Sequence, residues 1–157
     1  MQNTRAELDE TDKSLLSALQ KDAHLTAQDL GDRLGLSASQ AGRRRQRLEQ
    51  AGYIKSYGAR LNPPALGLTV QAFIQVQMST HDPEAARTFL RMVTNQPEIV
   101  SAWIMTGEAD YLLRAWCEDL PALNRLIQDI LLPQKAVARV QSQIVMDQPK
   151  ADAPLPL

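Results

Sequence analysis

The sequence predicts a two-domain α+β protein: an N-terminal helix-turn-helix, with or without a wing, followed by a ferredoxin-like βαββαβ domain. Three observations carry this. Between Thr26 and Gly52 two short helices are signalled, each opening on a capped start, with about three residues between them. Beyond Asn62-Pro63-Pro64 the hydrophobic period changes, and strand, helix, strand, strand, helix and strand follow in order. A length of 157 residues suits two small domains. The expected boundaries are 8–61 for the helix-turn-helix, 62–67 for a linker, 68–147 for the second domain and 148–157 for a tail.

Met1 to Glu7 is polar and reads as a frayed end. Leu15, Leu16 and Leu19 then form an apolar stripe on a helix beginning at Asp9 or Thr11. Asp12 lies in its first turn and Lys21 in its last, as the helix dipole favours. Thr26 with Asp29 caps a second helix that Gly35 stops, and Ser37 with Gln40 caps a third that Gly52 ends. Leu25, Leu30, Leu34, Leu36, Ala41, Leu48 and Tyr53 are the expected partners of the first stripe. Tyr53 to Leu61, broken by Gly58, reads as a wing or an extended strand.

In the second domain Val70, Ala72, Ile74 and Val76 alternate with Gln71, Phe73, Gln75 and Gln77, the pattern of a half-buried strand. Asp82-Pro83 opens a helix carrying Ala86, Phe89, Leu90 and Val93. Ile99 to Met105 and Tyr111 to Cys117 are strands around a Thr106–Asp110 hairpin. Asp119-Leu120-Pro121 opens a helix with the stripe Leu123, Leu126, Ile127, Ile130 and Leu131, and a strand from about Ala136 to Met146 closes the order. Two helices cover one sheet face. Phe73, Trp103 and Trp116 near the sheet point to a second subunit on the other. The tail is proline-rich, and Leu155 and Leu157 are expected to dock it.

Net charge is -1, poor for a nucleic-acid binder, whose affinity rests on neutralising phosphates. The charge is unevenly placed. Residues 1–60 carry ten Lys and Arg against eight Asp and Glu, and residues 61–157 carry seven against ten. From Leu36 to Arg60 the balance is six against one, a net of +5. On the third helix Ser39, Arg43, Gln46 and Gln50 share the side opposite Ala41 and Leu48, with Gln40 and Arg47 beside them. Those groups bond phosphate oxygens and base edges in a major groove. Candidate double-stranded-DNA contacts are Ser37, Ser39, Gln40, Arg43, Arg44, Arg47 and Lys55, with Arg60 also beside the backbone.

The run L-G-L-S-x-S-x-x-x-R-R-x-x-R-L-E-x-x-G-x-I from Leu34 to Ile54, then Tyr57, Ala59, Leu61-Asn62-Pro63 and Leu66-Gly67, resembles the Lrp/AsnC (feast/famine) transcriptional regulators. The likeness continues through Thr106-Gly107-x-x-Asp110-Tyr111-Leu112-Leu113 to Leu155-Pro156-Leu157. Two departures are Arg45, where an aliphatic residue is usual, and the absence of a Pro-Gly-Val run near Lys135 to Val137. The Arg45 stem is expected along the Ala41 and Leu48 stripe with its guanidinium sent to a carboxylate or phosphate, so that Arg45→Val is neutral or stabilising.

The resemblance implies a DNA-binding regulator responding to a small amino-acid effector, self-associating as a dimer and as an octamer or other multiple of dimers. It puts the effector around the 106–110 hairpin, at the contact between dimers. Asp110 would meet an α-ammonium and Thr106 and Gly107 an α-carboxylate, with Glu108, Leu120, Gln143 and Ile144 completing the site. Turn chemistry alone also accounts for Gly107 and Asp110. The rivals are an architectural DNA-binding protein without an effector, a small-molecule enzyme, and an RNA-binding sheet. Aromatics at 4% and a net-acidic second half argue against the last.

No catalytic or metal-ligating constellation and no cofactor is expected. His24 reads as a surface or capping side chain, Cys117 as a buried structural thiol, and His81 merely precedes a helix cap. No stretch approaches the ~18 apolar residues of a membrane span. The acidic N-terminus lacks a signal-peptide run, which together imply a cytoplasmic protein.

Overall fold

The computed structural model of the chain describes residues 8–79 and 82–157. The frayed end read from Met1 to Glu7, and His81, lie outside the described residues. The chain divides into two compact units, one of residues 61–149 and one of the residues up to Arg60 together with Lys150–Leu157. The tail thus belongs with the N-terminal unit rather than standing apart.

Three helices build the N-terminal unit: α1 (Glu10–Lys21), α2 (Ala27–Leu34) and α3 (Ala38–Gln50). Each begins at a complete capping box, formed by Asp9 with Asp12, Thr26 with Asp29 and Ser37 with Gln40. Such a cap satisfies two otherwise orphaned N–H groups, and losing it costs ~1 kcal/mol. The turn between α2 and α3 is set by two glycines. Gly35 takes a positive φ of 66°, and Gly31 lies so close to the next segment that a methyl there would sit 2.7 Å from Leu36 O. Leu15, Leu16, Leu19, Leu25, Leu30, Ala41 and Leu48 form the core, with Leu34, Leu36 and Tyr53 packed at its edge. After Gly52 the chain runs irregularly to Leu61, and among the described residues no strand pairs with it. The extended strand read for this segment is therefore not formed as a paired strand among the described residues.

Tail residues bond to this unit through backbone. Gln20 donates to Leu155 O at 3.1 Å and accepts from Leu155 N at 2.6 Å, while Arg60 donates to Asp152 O at 2.8 Å. The Leu155 and Leu157 side chains, expected to do the docking, remain exposed.

In the second unit Pro63-Pro64 begins a single 3-10 turn, Pro64–Leu66, that Gly67 ends at φ 80°. A four-stranded antiparallel sheet follows, made of β1 (Val70–Met78), β2 (Ile99–Ile104), β3 (Tyr111–Cys117) and β4 (Val137–Ile144). Its order is β2-β3-β1-β4, that of the ferredoxin-like unit. Helix α4 (Pro83–Asn95) starts at Asp82, whose carboxylate accepts from Glu84 N and Ala85 N. Helix α5 (Leu120–Arg125) is capped by Asp119 and continues through Leu126–Leu131 in wide i→i+5 turns. The regular 3.6-residue stripe read over this helix therefore holds only for its first half.

Both helices lie on the sheet face carrying Ala72, Ile74, Val76, Leu113, Ala115 and Cys117, with Phe89, Val93, Leu123, Leu126 and Leu131 closing the core. The Phe89 and Tyr111 rings pack 4.9 Å apart. Burial pushes the Cys117 thiol pKa up, as befits a core side chain. Alternation puts Gln71, Phe73 and Gln75 of β1 opposite Trp116, Arg114 and Leu112 of β3 on the other face, which no helix covers.

Candidate functional site

The third helix presents two faces. Ala41 and Leu48 are buried, while Ser39, Gln40, Arg43, Gln46, Arg47 and Gln50 are exposed, as their angular spacing requires. Ser37 and Gln40 are partly spent on the cap: Ser37 N and Oγ both donate to Gln40 Oε1 at 3.0 Å. Gln40 itself remains exposed. Arg43 and Lys55 are exposed, whereas Arg60 is turned to the tail carbonyl instead of standing by for phosphate.

Arg44 and Arg47 are engaged within the unit. Arg44 Nη1 donates to Asp9 Oδ2 at 2.6 Å and to Asp12 Oδ1 at 2.8 Å, and Arg47 Nη2 donates to Asp12 Oδ2. Asp12 is 1% exposed, so its charge is stable there only because two guanidinium groups compensate it. The hydrogen bond from Arg44 holds the Asp9 carboxyl below the usual carboxylate range. Arg43, Arg44, Arg47, Gln40, Leu36 and Asp9 line a surface depression of about 360 Å³. Sequence reasoning missed Asp9 and Asp12 as members of this site.

A second polar cluster replaces the aliphatic contact usual at Arg45. Its Nε donates to Glu49 Oε1 at 3.0 Å and to Tyr57 Oη at 3.1 Å, its Nη1 to Leu25 O at 3.0 Å, and Tyr57 Oη donates to Glu49 at 2.7 Å. The carboxylate anticipated for Arg45 is Glu49. Tyr57 and the Leu25 carbonyl were not foreseen, and they are bonds that valine could not make.

At the β2–β3 hairpin Gly107 takes φ 114°, open only to glycine without strain. Asp110 is tied into the sheet: Met78 N donates to its Oδ2 at 2.7 Å, and Asp110 N donates to Val76 O at 3.0 Å. Thr106 and Glu108 are exposed. Beside the hairpin, on the face no helix covers, Glu108, Ala109, Gln75, Gln77, Arg139 and Gln141 line a shallow depression. The alternating glutamines of β1 were the signal for it in the sequence.

Leu120, Gln143 and Ile144 do not join this hairpin within one chain. Val76 pairs with Tyr111 at the hairpin end and Val70 with Cys117 at the other, about 20 Å apart at ~3.3 Å per residue. Leu120 follows Cys117, and Ile144 pairs with Ala72 near the same far end. Gln143 and Ile144 also point to opposite faces, as neighbours on a strand must. Within one chain these residues therefore occupy two separate places on the sheet.

Residues 8–55 match a family model described as a winged helix-turn-helix DNA-binding domain. Residues 71–155 match the Lrp/AsnC ligand binding domain, more than half of the chain. The chain belongs to the Lrp/AsnC family. Among its Lrp/AsnC relatives, the leucine-responsive regulatory protein of Rhizobium meliloti is 33% identical over 93% of this chain and 94% of its own. The DNA-binding transcriptional activator DecR of Escherichia coli is 31% identical over 96% and 99%. A transcriptional regulator of Neisseria meningitidis, solved as a complex with L-methionine, superposes with a TM-score of 0.91 at 37% identity, covering 96% of this chain and 97% of that one. The Lrp/AsnC relatives are regulators of transcription, not enzymes, and the chain is a DNA-binding transcription regulator of the α+β fold read from its sequence. Among the described residues no helix is long and apolar enough to cross a membrane, and no three His, Cys, Asp or Glu side chains gather as a metal site.

Proposed function

We propose that the chain is a homo-oligomeric regulator whose operator binding responds to a small amino acid. The observation that carries the DNA half is the division of α3 into a buried Ala41 and Leu48 seam and an exposed face of Ser39, Gln40, Arg43, Gln46, Arg47 and Gln50. A helix so divided enters a major groove with its polar face to the bases and its flanking arginines to phosphate. Lys55 extends the contact along the backbone.

The effector is placed at the 106–110 hairpin. A free amino acid carries an ammonium and a carboxylate, and the depression beside the hairpin offers Glu108 and Arg139 for the two. With Oδ2 taken by Met78 N, Asp110 would offer Oδ1 to the ammonium, and Thr106 and the Gly107 backbone would offer donors to the carboxylate. The L-methionine bound by the Neisseria relative supports an amino acid as the ligand class. Leu120, Gln143 and Ile144 reach such a site only from another copy. The uncovered sheet face, with Phe73, Trp103 and Trp116 and a buried Arg114 Nε lacking a partner among the described residues, is the surface for that copy.

A thermal-shift screen of the full chain against the twenty amino acids tests this, followed by calorimetry of the best hit on wild type and Glu108→Gln. We expect one small amino acid to stabilise the protein, and Glu108→Gln to bind it about tenfold more weakly with unchanged operator affinity. Stabilisation by none of the twenty would leave an architectural DNA-binding protein without an effector.

A further inference from the structure

The sequence assigns Asp12 only to the first turn of α1, where it favours the helix dipole, and the structure adds that it completes the cap with Asp9. In the structure it has a second role. Its carboxylate is almost wholly buried, 1% exposed, and each of its oxygens accepts from a different arginine of α3. A guanidinium carries five N–H donors in a rigid plane, so fixing one nitrogen fixes the direction of the others. Among the described residues, these bonds leave Nε and Nη2 of Arg44, and Nε and Nη1 of Arg47, without an acceptor. Those two side chains are 31% and 50% exposed. With Arg43 and Gln40 they line one depression of about 360 Å³, roomy enough for a phosphate group.

We infer that Asp12 is a positioning residue for DNA binding: it holds Arg44 and Arg47 so that their remaining donors converge on one backbone phosphate in that depression. The inference rests on the DNA-binding reading of α3. The arginine side chains are long and lose much rotamer freedom on binding, so holding them beforehand lowers that cost. The pairing also sets the charge of the place. Asp9, Asp12, Arg44 and Arg47 together are neutral and Arg43 adds a single positive charge, so the attraction of Arg44 and Arg47 for phosphate rests on aimed donors rather than on excess charge of their own.

That neutrality gives the test its sign. Replacing Asp12 by Asn adds one positive charge to the DNA face while preserving size and the cap acceptor. If Asp12 merely opposed the arginines, Asp12→Asn would tighten DNA binding and steepen its salt dependence. If it positions them, affinity falls about tenfold, and the slope of log affinity against log salt flattens by about one because a phosphate contact is lost. The measurement is a filter-binding or gel-shift titration of full-length protein on operator DNA at several salt concentrations, below the melting temperature of every variant.

Three further variants fix the interpretation. Leu16→Ala weakens the same helical unit without touching the arginines, and its slope is expected to match wild type. Arg43→Ala lies outside the cluster and reports on the DNA reading itself, so a changed slope there with an unchanged one for Asp12→Asn overturns only the role of Asp12. Should Asp12→Asn fail to fold, Arg44→Lys keeps the charge but lacks the fork. A slope reduced by about one then supports the positioning role, and a wild-type slope in the folded variant overturns it.

Discussion

The two units of the chain are held together by different physics. In the helical unit seven buried residues, all Leu or Ala, make the core, and charged groups supply much of the rest: the Asp9, Asp12, Arg44 and Arg47 cluster, the Arg45, Glu49 and Tyr57 cluster, and three capping boxes. In the sheet unit twelve buried residues pack between sheet and helices, and the ion pair found among its described residues, Arg87 with Glu84, is exposed. A three-helix unit buries little apolar surface, so it can spare little for a face of unpaired arginines. It resolves the conflict by pairing some of those arginines inward. The sheet unit has a core of its own and leaves its polar side chains on the face that no helix covers.

The contrast is broken most severely at Phe89. It is the largest fully buried side chain among the described residues and packs at a tilt against Tyr111. Phe89→Ala is expected to cost the sheet unit roughly 3 to 5 kcal/mol. Scanning calorimetry should show its transition falling while that of the helical unit stays in place.

A smaller effect of a different kind is expected at Arg45. Valine there would remove the donor to the Leu25 carbonyl and Tyr57 and leave Glu49 only its bond from Tyr57, but the side chains of Arg45 and Glu49 are 27% and 38% exposed, so water recovers part of the loss. About 1 kcal/mol is expected, confined to the helical transition and read by urea unfolding monitored by helical circular dichroism. An unchanged midpoint would mean that aliphatic packing serves as well as the polar cluster.

The gentlest probe is acid. The Tyr57 hydroxyl, then Arg45, lowers the Glu49 pKa, Arg44 lowers that of Asp9, and Thr26 lowers that of Asp29. A carboxylate whose pKa is lower folded than unfolded contributes stability above its unfolded value, and that contribution is lost as pH falls through the folded one. All three lie in the helical unit. Its melting temperature is therefore expected to fall ahead of the sheet unit's below about pH 4. Calorimetry at pH 7 and at steps below pH 4 checks the order, and a simultaneous decline would contradict it.

Local signals made the fold legible. The Ser37 with Gln40 box, the Gly35 stop, the Asp82-Pro83 opening and the alternation from Val70 to Val76 each act within a few residues, and each recurs in the structure where the sequence put it. The site was half legible for the same reason. The outer face of α3 follows from helical angles, but Asp12 meets Arg44 and Arg47 across 32 and 35 residues of chain, and nothing in either stretch announces the other. Gln20 and Leu155 meet across 135 residues through a backbone amide and carbonyl, which every residue but proline possesses. That Leu120, Gln143 and Ile144 lie at the other end of the sheet from the hairpin was not legible, because spacing along a strand fixes the face of a side chain but not which end of the sheet two distant residues share.

The wide turns from Leu126 to Leu131 bear on how this chain tolerates change in length. Leu126 and Leu131 are five residues apart, yet they are 1% and 0% exposed in the same core. Residues four apart share a face of an α-helix, so the segment holds one residue more than a regular helix would need to seat the same two leucines. Gln128 and Asp129 between them are exposed, and removing one would shorten the chain without emptying a place in the core. The surplus residue makes this the point in the sheet unit where a deletion is absorbed by rewinding, whereas a deletion in β1 or β3 would turn every following side chain to the opposite face.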